Sequence, residues 1–68
     1  MTDLEFGLLV KKTRALKNAT LKDLSQATDL SMVCICKVEK GKPSLLRTKI
    51  KIAQALGLGN KVIDELAR

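Results

Sequence analysis

The chain has no histidine, no tryptophan and no tyrosine, and its 68 residues hold one phenylalanine, one proline and two cysteines. Each shortage excludes something. Cys34 and Cys36 are two residues apart on what reads as a helix, so they point about 200° from each other around its axis and can neither bridge nor chelate together. With no histidine, no metal-ligand spacing exists and no disulfide framework is expected; reduced thiols suit a cytoplasmic setting. Nor is there a base beside a nucleophile or a glycine-rich phosphate loop, so neither an enzyme nor a bound cofactor is expected. No apolar run approaches membrane-spanning length and no signal peptide opens the chain, so a soluble, cytoplasmic protein without a membrane partner is expected. One proline and four glycines leave little loop, and the near absence of aromatics demands an aliphatic core. The many Leu, Ile, Val and Ala recur at helical spacing, which predicts a small all-α bundle with one core and one domain, residues 1–68.

What the chain does have is positive charge. Thirteen basic residues stand against seven acids, a formal net charge of +6, which favours a polyanionic partner. The distribution is more telling than the sum. Between residues 37 and 51 lie Lys37, Lys40, Lys42, Arg47, Lys49 and Lys51, with Glu39 the lone acid. A solvated helix face would account for such a run as readily as a binding surface, so the charge needs a motif beside it.

The stretch TLKDLSQATDLSMVCICKVEKG, Thr20 to Gly41, supplies one. Thr20 is a good N-cap, and Asp23 three residues on completes a capping-box pair that also suits the positive end of a helix. Leu24 and Ala27 give that helix, about Leu21 to Thr28, a buried face. Asp29 tolerates the left-handed backbone of a sharp turn, and Leu30 plugs the corner. Ser31 caps a second helix, about Met32 to Lys40, with Ile35 and Val38 on one face, and Gly41 sits where a helix-ending left-handed residue belongs. Two short helices joined by a tight turn are the geometry of the helix-turn-helix, which also occurs as plain packing.

Here the chain resembles the lambda-repressor/Cro-like (XRE) family of bacterial and phage transcription regulators. The resemblance is carried by Thr20, Leu24-Ser25, Leu30-Ser31, Ile35, Val38-Glu39 and Gly41, and it extends upstream to Phe6-Gly7, Val10-Lys11 and Arg14 and downstream to the Ile52–Gly57 run. It covers nearly the whole chain, and order and spacing carry it more than any single piece. It implies a compact five-helix bundle, a lambda-repressor-like DNA-binding domain, with the helix-turn-helix at helices 2 and 3, about residues 20–41. It implies double-stranded DNA as the partner, an inverted-repeat operator, a homodimer, and a Cro-like repressor acting by promoter occlusion. Ser31, Met32, Val33, Cys36, Lys37 and Lys40 match the positions that face DNA, with Lys37 placed for guanine, Met32 and Val33 for thymine methyl groups and Lys40 for phosphate. Arg14 matches the arginine that pairs with the glutamate matching Glu39, a tie between helices 1 and 3. The last helix often carries the two-fold contact, which makes Ile63 and Leu66 the candidates, though packing against the core is equally open. The chain departs from the family at Leu8-Leu9, where polar residues are usual, at Leu21 in place of Gln, at Asp29 in place of Gly, and in a shorter loop after Gly41.

The remaining elements complete the expectation. Helix 1 should run from about Leu4 to Leu16, with Asp3 and Glu5 at its start and Phe6, Leu9, Val10 and Leu16 as apolar surface. Leu8 and Leu9 widen that surface, for a partner or for extra core contact. Lys22 and the first amides of helix 2 are placed for phosphate. Ser44 is the expected N-cap of helix 4, about Leu45 to Leu56, where Lys42, Ser44, Arg47 and the free amides could meet a second phosphate. Leu46, Ile50, Ala53 and Leu56 should be its buried stripe, with Ile52 beside it. Asn60 is the expected N-cap of a last helix with Val62, Ile63, Leu66 and Ala67 as its apolar residues. The rival to DNA binding is a protein-interaction module, an antitoxin or antirepressor, using helix 1 and the Met32-Val33-Cys36 face. Cys36 is expected to be an inert small side chain, and the length argues against a fused sensor.

Overall fold

Thr2, Thr20 and Ser31 each close a hydroxyl on the backbone three residues ahead, and each starts a helix. The computed structural model describes residues 1–66, and among them the chain forms α1 (Asp3–Leu16), α2 (Leu21–Thr28), α3 (Met32–Glu39), α4 (Leu46–Ala55) and α5 (Asn60–Leu66), with no strand. Thr2 with Glu5 and Thr20 with Asp23 form complete capping boxes, hydroxyl to amide and carboxylate back to the cap's own N–H. Ser31 accepts from the Cys34 amide at 3.1 Å.

The helices stop as distinctly as they start. Each of the four junctions contains one residue with left-handed backbone: Asn18 (φ 54°), Asp29 (φ 59°), Gly41 (φ 82°) and Gly57 (φ 71°). At α1, α3 and α4 the pattern is a Schellman motif, with the paired bonds Ala19 N–H to Arg14 C=O and Asn18 N–H to Ala15 C=O, Lys42 to Lys37 and Gly41 to Val38, and Leu58 to Ala53 and Gly57 to Gln54. Carbonyls that a helix end leaves unpaired are thereby satisfied.

α1 packs on α3, α3 on α2, α2 on α4 and α4 on α5, in a molecule 29 × 21 × 19 Å. The core is Phe6, Val10, Leu24, Ile35, Val38, Ile52, Ala53 and Leu56, with Leu21, Leu30, Leu58, Ile63 and Leu66 partly buried around it. Gly7 is where α1 and α3 come closest: a Cβ there would lie 2.4 Å from the Val38 carbonyl oxygen and 2.8 Å from that of Glu39. No helix among the described residues is long and apolar enough to cross a membrane.

The five-helix, all-α architecture matches the expectation, and α2 has the boundaries its sequence gives it. Several details differ. Ser44 does not cap α4: Leu45 holds the N-cap position, in extended conformation and without a side-chain bond, while the Ser44 hydroxyl is buried with no partner. The helix is accordingly one residue shorter at each end. Asn60 is the first helical residue of α5 rather than its cap, since the Gly59 carbonyl accepts from Val62 and Ile63. Ala27 is exposed and Thr28 is buried in its stead, which its hydroxyl tolerates by donating to the Leu24 carbonyl at 2.7 Å. On α1, Leu16 is exposed and Leu9 only half-buried. Leu16 falls about 100° around the helix from the Phe6–Val10 face at ~100° per residue.

The buried stripe of α4 is rotated from the expected one. Ile52, Ala53 and Leu56 are buried, Ile50 is half-buried and Leu46 is exposed. Lys49 takes the place expected for apolar residues, 16% exposed and paired with Asp3 at the start of α1. Ala67, assigned above to the last helix, lies outside the described residues.

Candidate functional site

The site is built outward from the two buried residues of α3. With Ile35 and Val38 turned inward, the ~100° step per residue aims Val33, Lys37 and Lys40 the opposite way, with Met32 and Cys36 toward one margin. Val33 is 64% exposed and Met32 49%. Ser31, Lys37 and Lys40 are exposed as well, whereas Cys36 is half-buried. A cationic and apolar face with a hydroxyl at its N-terminal end is the result, and it does not need Cys36 to be fully open.

Glu39, the one acid between residues 37 and 51, is kept off this face. The Arg14 guanidinium grips it with two bonds, Nε to Oε2 at 2.7 Å and Nη2 to Oε1 at 3.2 Å, while Nη1 donates to the Ala19 carbonyl at 3.0 Å. A planar fork suits that three-way task where a lysine would not. The two side chains are 19% and 9% exposed. The carboxylate bond raises the Arg14 pKa above its usual value, opposed by burial and aided by the charge of Glu39. Nothing in the residue pattern signals the Ala19 contact, which depends on the left-handed turn at Asn18 bringing that carbonyl round.

The cations sort into two groups. Lys49 is consumed by Asp3 and serves as a tie between α4 and α1. Lys37, Lys40, Lys42, Arg47 and Lys51 remain exposed and make no salt bridge among the described residues. Lys42 and Arg47 flank the start of α4, where the lack of a side-chain cap leaves the amides of Leu46, Arg47 and Thr48 unpaired by the helix. Ser44, also assigned to a phosphate, keeps its oxygen buried and faces no solvent with it. Lys22 is exposed in the first turn of α2.

Between α2 and α3, Ser25 donates its hydroxyl to the Leu30 carbonyl, so this small side chain fastens the turn as well as allowing close approach. Asp29 is exposed at the same turn. Ile63 and Leu66 lie half-buried against their own core. An open hollow of about 380 Å³ lies between α2 and α4, lined by Ala27, Thr28, Lys51, Gln54 and Ala55. It holds one charged group and no acid-base pair. No protein-family model matches the chain, and no curated protein matches it.

Proposed function

We propose that the chain is a sequence-specific double-stranded DNA-binding regulator, a small dimeric repressor that occludes a promoter by laying α3 in the major groove. One observation carries the reading: the exposed face of α3 and the exposed cations that follow it form a surface in which the one acid between residues 37 and 51, Glu39, is held internally by Arg14. That leaves Lys37 for a guanine edge, Met32 and Val33 for thymine methyl groups, and Ser31 for a base or phosphate. Lys22, Lys40, Lys42 and Arg47 would meet phosphates, aided by the free amides of α4. α2 and α3 then act as a helix-turn-helix, with α2 crossing the backbone. The surface has no Gln, Asn or free Arg fork on α3, so apolar contact and DNA shape carry much of the discrimination.

Selection from a random duplex library at near-physiological salt, followed by sequencing, tests this. Enrichment of an inverted repeat with half-sites roughly ten base pairs apart is the expected result. Failure to enrich any sequence, with binding that vanishes as salt rises, would reduce the interaction to nonspecific charge attraction. The exposure of Met32 and Val33 favours a second reading, an antitoxin or antirepressor docking this face on a protein. A partner that copurifies in one-to-one ratio and competes with DNA distinguishes it.

A further inference from the structure

Ile63 and Leu66 are half-buried on their own core, and α1 offers a second copy a more exposed apolar face. Among the described residues, α1 carries an exposed stripe with two large apolar side chains. Leu4 is 57% exposed and Leu8 58%, and Lys11 and Ala15 continue the same exposed stripe. Positions 4, 8, 11 and 15 are spaced four, three and four apart, the seam spacing of a helix that packs along another helix.

We propose that this stripe is the homodimer interface, formed by two α1 helices running antiparallel about a two-fold axis near Leu8. Charge selects both the occupant and the direction. Glu5 and Lys12 stand side by side along one flank of the stripe, both exposed, Glu5 one turn before Leu8 and Lys12 one turn after it. Their heights are roughly 4.5 Å and 6 Å on either side of Leu8 at 1.5 Å per residue, so an antiparallel copy sets each Glu5 beside the other copy's Lys12. A parallel two-fold copy would carry that flank to the opposite side of the seam and leave both charges without these partners. An isologous contact requires self-complementarity of this kind. Lys11 lies in the seam itself, where its methylene stem covers Leu8 of the second copy and its ammonium reaches solvent.

A single pair of 14-residue helices is a contact at the small end of specific interfaces, so the free dimer is weak and two half-sites on DNA reinforce it. The proposal rests on the dimeric reading above and places its contact.

Sedimentation equilibrium without DNA, from micromolar to millimolar protein, is the test. The wild type should show a reversible monomer-dimer equilibrium. Leu8→Glu, at an exposed position, should keep the circular dichroism of the folded chain and stay monomeric throughout. Lys12→Glu should raise the dissociation constant about tenfold, through two symmetry-related pairs turned repulsive. A wild type that is monomeric at every concentration overturns the proposal and leaves the stripe to a different protein. A dimer indifferent to Leu8→Glu overturns it by placing the contact elsewhere. Failure of the DNA reading is separable: the dimer would persist while neither wild type nor Leu8→Glu bound a single half-site.

Discussion

At Gly7 a hydrogen in place of a methyl group decides whether α1 and α3 can meet. Alanine is the better helix former by about 1 kcal/mol, so propensity alone would favour the substitution. The contact overrules it, because the methyl would fall 2.4 Å from a backbone oxygen that no side-chain rotation can move. Gly7→Ala is expected to lose about 2 kcal/mol or more, and the melting temperature should fall by roughly 10 °C. A melting temperature that rises would show the helices closer to free of each other than this packing allows. Arg14 and Glu39 act at the same junction from the other side, so the orientation of α3 is set by one residue too small to obstruct and one long enough to hold.

Among the helices, the starts and stops were the most legible part of the sequence. Thr20 with Asp23, Ser31 and Gly41 act on the few residues around them, and local chemistry can be read from local sequence. The misreadings came where distant residues decide. Ser44 resembles a cap by type, but its hydroxyl is buried and the helix begins after Leu45. The stripe of α4 turned because Lys49 found Asp3, 46 residues away, and could then occupy the edge of the core. Thr28 took the buried place expected for Ala27 by satisfying its own hydroxyl. Of the candidate site, the exposure of Ser31, Met32, Val33, Lys37 and Lys40 followed from α3 alone, whereas the half-burial of Cys36 and the retention of Lys49 needed the neighbouring helices. The caps also respond to acid. Hydrogen bonds from the Thr20 backbone and side chain hold the Asp23 carboxyl below its ordinary 3.8, and those from Thr2 hold Glu5 below its ordinary 4.5. A carboxyl depressed on folding stabilises above its unfolded value, and that contribution disappears as pH falls through the folded one. The starts of α1 and α2 should therefore loosen below about pH 4, by the same linkage. Carboxyl titration by NMR checks this: Thr20→Ala should return the Asp23 midpoint toward 3.8 and leave that of Glu5 in place.

Across the whole molecule, charge is sorted as well as abundant. Two cation-acid pairs tie α1 to α3 and to α4, and five exposed cations between residues 37 and 51 pair with no acid among the described residues. If that surface meets DNA, its members should differ in kind. Lys37→Ala should change which base is preferred, while Lys42→Ala should weaken all duplexes alike and reduce the slope of log affinity against log salt by about 1. Equal effects of both changes on every sequence would remove Lys37 from the base edge. The four left-handed junctions bear on timing. Each reverses the chain within a few residues, so no long loop has to close before the helices find one another, and small helical domains of this kind fold in microseconds to milliseconds. Ribosomes need roughly 3 to 14 seconds for 68 residues at about 5–20 residues per second. If the chain is the regulator proposed, governed by its own concentration, translation and not folding would set how quickly a promoter is closed.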